Sequence, residues 1–273
     1  MDYAILISLA LGILVGLLMG LTGAGGGILS VPLLIFFLHL SVAQAAPIAL
    51  CAIALAAGLG SILGLRNKIL RYKAAGLMAI VGLAFAPIGL WLAPKLPNTP
   101  LQILFSCILI FVGIRLYLQA LNEIRGIAPA KTKPPPCLMN PVAGKLQWTL
   151  PCARALMFAG SLAGFLSGLL GVGGGFIIVP ALKRYTNLPV RSIVSTSLGV
   201  LAIISGGGAM LSAFAGTLDI ELAVPFALAA LMGLVVGQAI VKELDGSRIQ
   251  QIFAVLTLII ASGLLIQSIA HYF

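Results

Sequence analysis

The chain of 273 residues is 61% hydrophobic and 8% charged, with a mean hydropathy of +1.18 and a formal net charge of +10. A soluble domain carries about 25% charged residues, so this composition excludes a water-soluble fold and places the chain in lipid. The apolar runs are unbroken and rich in Leu, Ala, Ile and Gly, which also excludes a barrel built from alternating segments of about 10 residues.

The first apolar segment covers 4–22. Asp2 follows Met1, and no Lys or Arg precedes the segment, so it reads as a retained span and not a cleaved signal. Residues 20–34 then read GLTGAGGGILSVPLL. Glycine costs roughly 1 kcal/mol per residue in a helix interior relative to alanine, so such a run predicts an interrupted helix. A short segment follows at 28–40, then spans at 43–65, 74–93 and 100–121. The region 122–152 is polar and contains KTKPPP. After it the pattern returns: 153–170, a second run GLLGVGGGFIIVPAL at 168–182, a short segment at 176–187, then 190–214, 221–241 and 249–270. The two runs match at nine of fifteen positions with an offset of 148. Gly16, Gly20, Val42 and Gly58 match Gly164, Gly168, Val190 and Gly206 at that offset.

Charge sets the orientation. The loop RNKILRYK (66–73) carries four bases, and the linker region adds Arg115, Arg125, Lys131, Lys133, Lys145 and Arg154. Short basic loops face the cytoplasm, and this accounts for the net charge without a nucleic-acid partner. The matching loop of the second half, FAGTLDIE (214–221), has Asp219 and Glu221 and no base. It is expected to face outward. The expected fold is therefore an all-α polytopic membrane protein of two inverted repeats, 1–121 and 153–273, joined by a cytoplasmic linker, 122–152. Each repeat has five elements, with a short Gly/Pro-interrupted second one, and the chain is multi-pass in the cell (inner) membrane.

Short interrupted segments at matching positions of an inverted repeat point to a transporter's substrate site. Irregular backbone at membrane depth must be buried in protein or line a cavity. A helix restarting after such a break presents N–H donors and a positive dipole end, which suit an anion. The expected site joins Gly23, Gly25, Gly26 and Gly27 to Gly171, Gly173, Gly174 and Gly175. Pro32 and Pro180 each lie five residues past a run. Ser195, Thr196 and Ser197 follow the second short segment, and Gln44 is the polar survivor of the matching stretch in the first half. Gly16, Gly20, Gly160, Gly164 and Gly168, spaced by four, read instead as a helix-packing seam.

Other chemistry lacks its residues. No G-K-[ST] follows the glycines, so no nucleotide loop is expected. The acids sit at span ends or in loops, and His39 reads as interfacial. No cofactor or metal is expected, and no catalytic group. Cys51, Cys107, Cys137 and Cys152 form no C-x-x-C pair and read as small apolar fillers or incidental thiols.

The paired G-x-G-G-G-x-x-x-V-P motifs and the STSL stretch (195–198) resemble the TauE/SafE sulfite-exporter family over essentially the whole chain. The first half departs from it, with PIAL at 47–50. The resemblance implies transport of a sulfur-containing anion such as sulfite, a sulfonate or sulfoacetate. A monoanion leaving a cell moves down the potential, worth about 2.3 kcal/mol per 100 mV, so export needs no coupling ion. A channel-like facilitator and an uptake permease for an organosulfur compound are the alternatives.

Overall fold

The structure is a computed structural model, and it describes residues 2–125, 136–138, 148–240 and 246–270. The bases Lys131, Lys133, Lys145 and Lys242 and most of the linker lie outside the described residues. The described elements are helical: α1 (Asp2–Thr22), a 3-10 segment (Gly23–Leu29), α2 (Ser30–Leu38), α3 (Val42–Arg66), α4 (Tyr72–Leu92), a 3-10 turn (Ala93–Lys95) and α5 (Asn98–Ile124). After the linker come α6 (Leu150–Leu170), α7 (Gly175–Tyr185), α8 (Val190–Phe214), α9 (Ile220–Ile240) and α10 (Gly246–Ala270). Eight of them are long and apolar enough to cross a membrane, and Gly25–Leu38 forms a shorter apolar helix. Their exposed faces are apolar, as lipid requires: Phe111, Phe158, Met232 and Ile259 are all more than 60% accessible.

Lipid supplies no hydrophobic drive for helices to pair, so close packing of small residues does it. Such a seam joins α1 to α9: a Cβ added at Gly16 would overlap the Ala230 carbonyl, and one at Gly233 the Ile13 carbonyl. The same seam joins α6 to α4. There Gly164 lies on the Gly82 carbonyl and Gly160 on Met78, 2.6 Å from an added Cβ to the carbonyl oxygen. Gly16 with Ala230 and Gly164 with Gly82 are one contact repeated, since 16 and 164, and 82 and 230, differ by 148. In the middle α3 packs on α8, and α5 packs on α10.

The charges separate to the two ends of the helices. Ser192 at the start of α8 donates to the Ile69 carbonyl, so the 67–71 turn, with Lys68 and Arg71, lies beside Arg191. Lys183 at the end of α7 pairs with Glu123 at the end of α5, 3.8 Å apart. At the opposite end the Val42 N–H donates to Asn98, and Gln44 faces Asp219 across a cavity.

One expectation is corrected. Cys137 and Cys152 are not incidental thiols: they form a disulfide, with Cα atoms 4.9 Å apart. The linker ends fold back on one another. The Cys137 N–H donates to the Tyr185 carbonyl at 3.0 Å, and Thr149, which caps α6, donates to the Pro136 carbonyl at 3.1 Å. Both cysteines are fully buried. Cys51 and Cys107 remain free.

Candidate functional site

The two glycine runs break their helices differently. After α1, Gly23 turns left-handed (φ +74°), and the chain winds on as a 3-10 helix to Leu29. That winding occupies backbone donors with i to i+3 bonds. The Ser30 hydroxyl then donates to the Gly27 carbonyl at 2.6 Å, and α2 begins. Pro32 falls in the first turn of α2, where its missing N–H costs nothing. After α6, three glycines are left-handed: Gly171 (φ +73°), Gly173 (+72°) and Gly174 (+74°). Each conformation is one that a side chain disfavours by about 1–2 kcal/mol. The first bonds of α7 run from Ile177 and Ile178 to the Gly174 carbonyl, 3.0 and 3.2 Å. The N–H groups of Gly174, Gly175 and Phe176 therefore precede the ladder, at the positive end of the α7 dipole.

The runs meet. Gly23 packs on Val194 of α8, and Gly171 on Ala46 of α3, again one contact repeated at the 148 offset. A Cβ added at Gly27 would lie 3.1 Å from Ile53, and one at Gly173 would lie 3.0 Å from it. Ile53 is fully buried near the midpoint of α3. The first run thus approaches this residue from the basic end and the second from the opposite end. The 3-10 segment also packs directly on α7. Gly26 sits against the backbone of Met19, and Gly174 against Ala163, with an added Cβ 2.8 Å from the Ala163 carbonyl oxygen. Gly25 is the loosest: its nearest neighbour is Thr22 Oγ1, 3.5 Å from an added Cβ.

The polar residues expected at the site do not gather on the glycines. Gln44 is exposed and closes a capping box with Ser41 at the start of α3. It lines a cavity of about 220 Å³ with Leu40, Ile48 and the 216–219 turn. Ser195, Thr196 and Ser197 lie near the start of α8. The Thr196 hydroxyl accepts from the Arg71 N–H at 3.1 Å, and Ser197 donates back to the Val194 carbonyl at 2.8 Å. Ser195 Oγ has no hydrogen-bond partner and lies over Gly64.

Two hydroxyls that the sequence reading passed over lie beside the second run. Ser205 on α8 is fully buried, has no partner, and sits 2.8 Å from an added Cβ at Gly173. Ser167, one turn before Gly171 on α6, is buried and equally without a partner. Leaving a buried hydroxyl unpaired costs about 1–3 kcal/mol. At the 148 offset their counterparts are the apolar Ala57 and Met19. Ser205 begins the stretch SGGG (205–208), and this glycine context is the one signal that could have drawn attention to it.

Eight apolar spans among the described residues, with half-length helices meeting through glycine breaks in their midst, define a polytopic membrane transporter. The family model described as sulfite exporter TauE/SafE matches residues 8–264, and the chain belongs to that family. Similar proteins include the probable membrane transporter proteins YunE and YjnA of Bacillus subtilis. YunE is 25% identical over 98% of this chain and 99% of its own length. YjnA is also 25% identical, over 93% and 96%. The probable membrane transporter protein MJ0441 of Methanocaldococcus jannaschii is 29% identical over 72% of this chain and 68% of its own. The protein is a multi-pass membrane transporter and not an enzyme.

Proposed function

We propose that this transporter exports a small sulfur-containing anion of the sulfite, sulfonate or sulfoacetate class, past the junction of the two glycine runs. The observation that carries the reading is the convergence of both runs on Ile53 at mid-depth. An anion there meets Gly23, Gly25, Gly26 and Gly27 on one side. On the other it meets Gly171, Gly173, Gly174 and Gly175, with the α7 N-terminus and the unpaired hydroxyls of Ser205 and Ser167. The backbone donors at the start of α7 hold the charge without a buried cation, and the wound first run lines the path. Protein fills the glycine surfaces in this conformation, so passage requires the packing at Ile53 to part. Gln44, Ser195, Thr196 and Ser197 lie nearer the mouths.

The repeated contacts at the 148 offset support an inverted repeat with an axis in the membrane plane. The α1–α9 seam maps onto α6–α4, and the α3–α8 and α5–α10 pairs map onto themselves. Apart from Lys95, which follows α4 at the other end, the described bases gather at one end, which supports a cytoplasmic position for that end. A basic inner mouth gathers anions, and Asp219 and Glu221 at the other mouth oppose their return. Export then runs with the inside-negative potential.

Flux in proteoliposomes under an imposed potential tests the reading. Sulfite or sulfoacetate should move toward the positive side, without a proton or sodium gradient, and Gly174→Leu should abolish the flux. Accumulation driven by a cation gradient would make the protein an uptake permease instead.

A further inference from the structure

The two mouths carry the same turn and close differently. In the 67–71 turn, Lys68 is left-handed (φ 57°), and the Ile69 N–H donates to the Gly64 carbonyl at 3.0 Å. In the 215–219 turn, Gly216 is left-handed (φ 68°), and the Thr217 N–H donates to the Ser212 carbonyl at 3.0 Å. These are matching bonds at the 148 offset, so the backbones of the turns agree. What each turn meets does not. Leu40, Gln44 and Ile48 face the outer turn across the cavity of about 220 Å³. Their counterparts at the inner turn are Leu188, Ser192 and Thr196. There the Ser192 hydroxyl donates to the Ile69 carbonyl at 2.5 Å, and the Thr196 hydroxyl accepts from the Arg71 N–H at 3.1 Å. Leu70 packs down on Gly199, with its Cδ1 3.0 Å from an added Cβ.

We infer that the 67–71 turn is the inner gate of the transport path, latched by Ser192 and Thr196, and that the structure is the state closed inside, with a cavity standing at the outer turn. This rests on the transport reading above and names the groups that control one mouth of its path. The outer turn has no equivalent latch: Ile48 offers no acceptor to Asp219, and Gln44 is engaged with Ser41. The inner gate leads straight to the first glycine run, because Val194, against Gly23, lies between Ser192 and Thr196 in the chain. The outer cavity leads to the second run, because Ala46, against Gly171, lies between Gln44 and Ile48. Ser195 Oγ is shut beneath the inner turn without a partner, so closure leaves one polar group unsatisfied that opening would hydrate.

Thiol labelling tests the gate without any substrate. In a background with Cys51→Ala and Cys107→Ala, Ser195→Cys reports the inner mouth and Gln44→Cys, at an exposed position of the outer cavity, the outer. A membrane-impermeant maleimide is applied to inside-out and right-side-out vesicles. With the latch intact, Gln44→Cys, which is exposed, should label at least tenfold faster from outside than the buried Ser195→Cys labels from inside. Adding Ser192→Ala and Thr196→Val should speed Ser195→Cys labelling at least tenfold, in inside-out vesicles alone. Ser192→Ala by itself should speed it about threefold, and it decides the matter if the double variant is not monodisperse on gel filtration. Rates within twofold of the latched protein, or faster inner than outer labelling at the start, overturn the gate. Labelling that responds while no sulfur anion moves in the flux assay leaves the gate standing and removes the substrate assignment.

Discussion

The two glycine runs share the pattern G-x-G-G-G and put it to different uses. In the first, one glycine is left-handed and the rest wind into a 3-10 helix. In the second, three are left-handed and the helix starts afresh at Gly175, the counterpart of Gly27. Flanking residues make the difference. The first run folds back on α1, with Gly26 against the Met19 backbone, and Ser30 ties the winding to Gly27. The second has Ile178 in place of Ser30, and its turns lie against Ser205 and Ala163. Glycine permits several backbones, and its neighbours choose among them. Only the second run ends in a helix whose first donors stand clear of the ladder beside unpaired hydroxyls.

Matched substitutions test this contrast. The largest expected effect is Gly173→Ala, which combines a left-handed φ with a Cβ 2.8 Å from Ser205 Oγ. It should cost about 3 kcal/mol of stability in detergent unfolding. Next come Gly16→Ala and Gly164→Ala, whose Cβ atoms would strike a carbonyl across each seam. Each should cost about 2 kcal/mol, and a clear inequality between them would break the equivalence of the two seams. Ser205→Ala removes a hydroxyl without a partner. Stability should hold or rise by up to about 1 kcal/mol, while anion flux falls severalfold. The smallest effect belongs to Gly25→Ala, the counterpart of Gly173. Its φ is not left-handed and its nearest neighbour stands at 3.5 Å, so stability should change by less than about 1 kcal/mol. Equal losses at Gly25 and Gly173 would mean that the two runs do not differ as described.

Much of the architecture was legible because lipid makes segments visible in sequence. A span must be long and apolar, and a break must be Gly or Pro. The segment 190–214 matches α8 residue for residue, and the others agree within four residues at each end. Ser195, Thr196 and Ser197 stood out as a polar trio. Ser192, which the 2.5 Å bond to Ile69 sets at the mouth, did not, because its partner lies 123 residues away. The disulfide was missed for the same reason. Cys137 and Cys152 are 15 residues apart, and only the return of the linker against Tyr185 and the start of α6 brings them together.

The amino-acid sequence by itself determined that this chain lives in a membrane, where its helices break, and that its halves repeat at an offset of 148, because hydropathy, glycine and identity are local properties. The tertiary structure alone decided that the breaks converge on Ile53, that one run winds while the other opens, and that one mouth is latched. Those outcomes depend on which side chain from a distant helix fills the space beside each glycine and each turn.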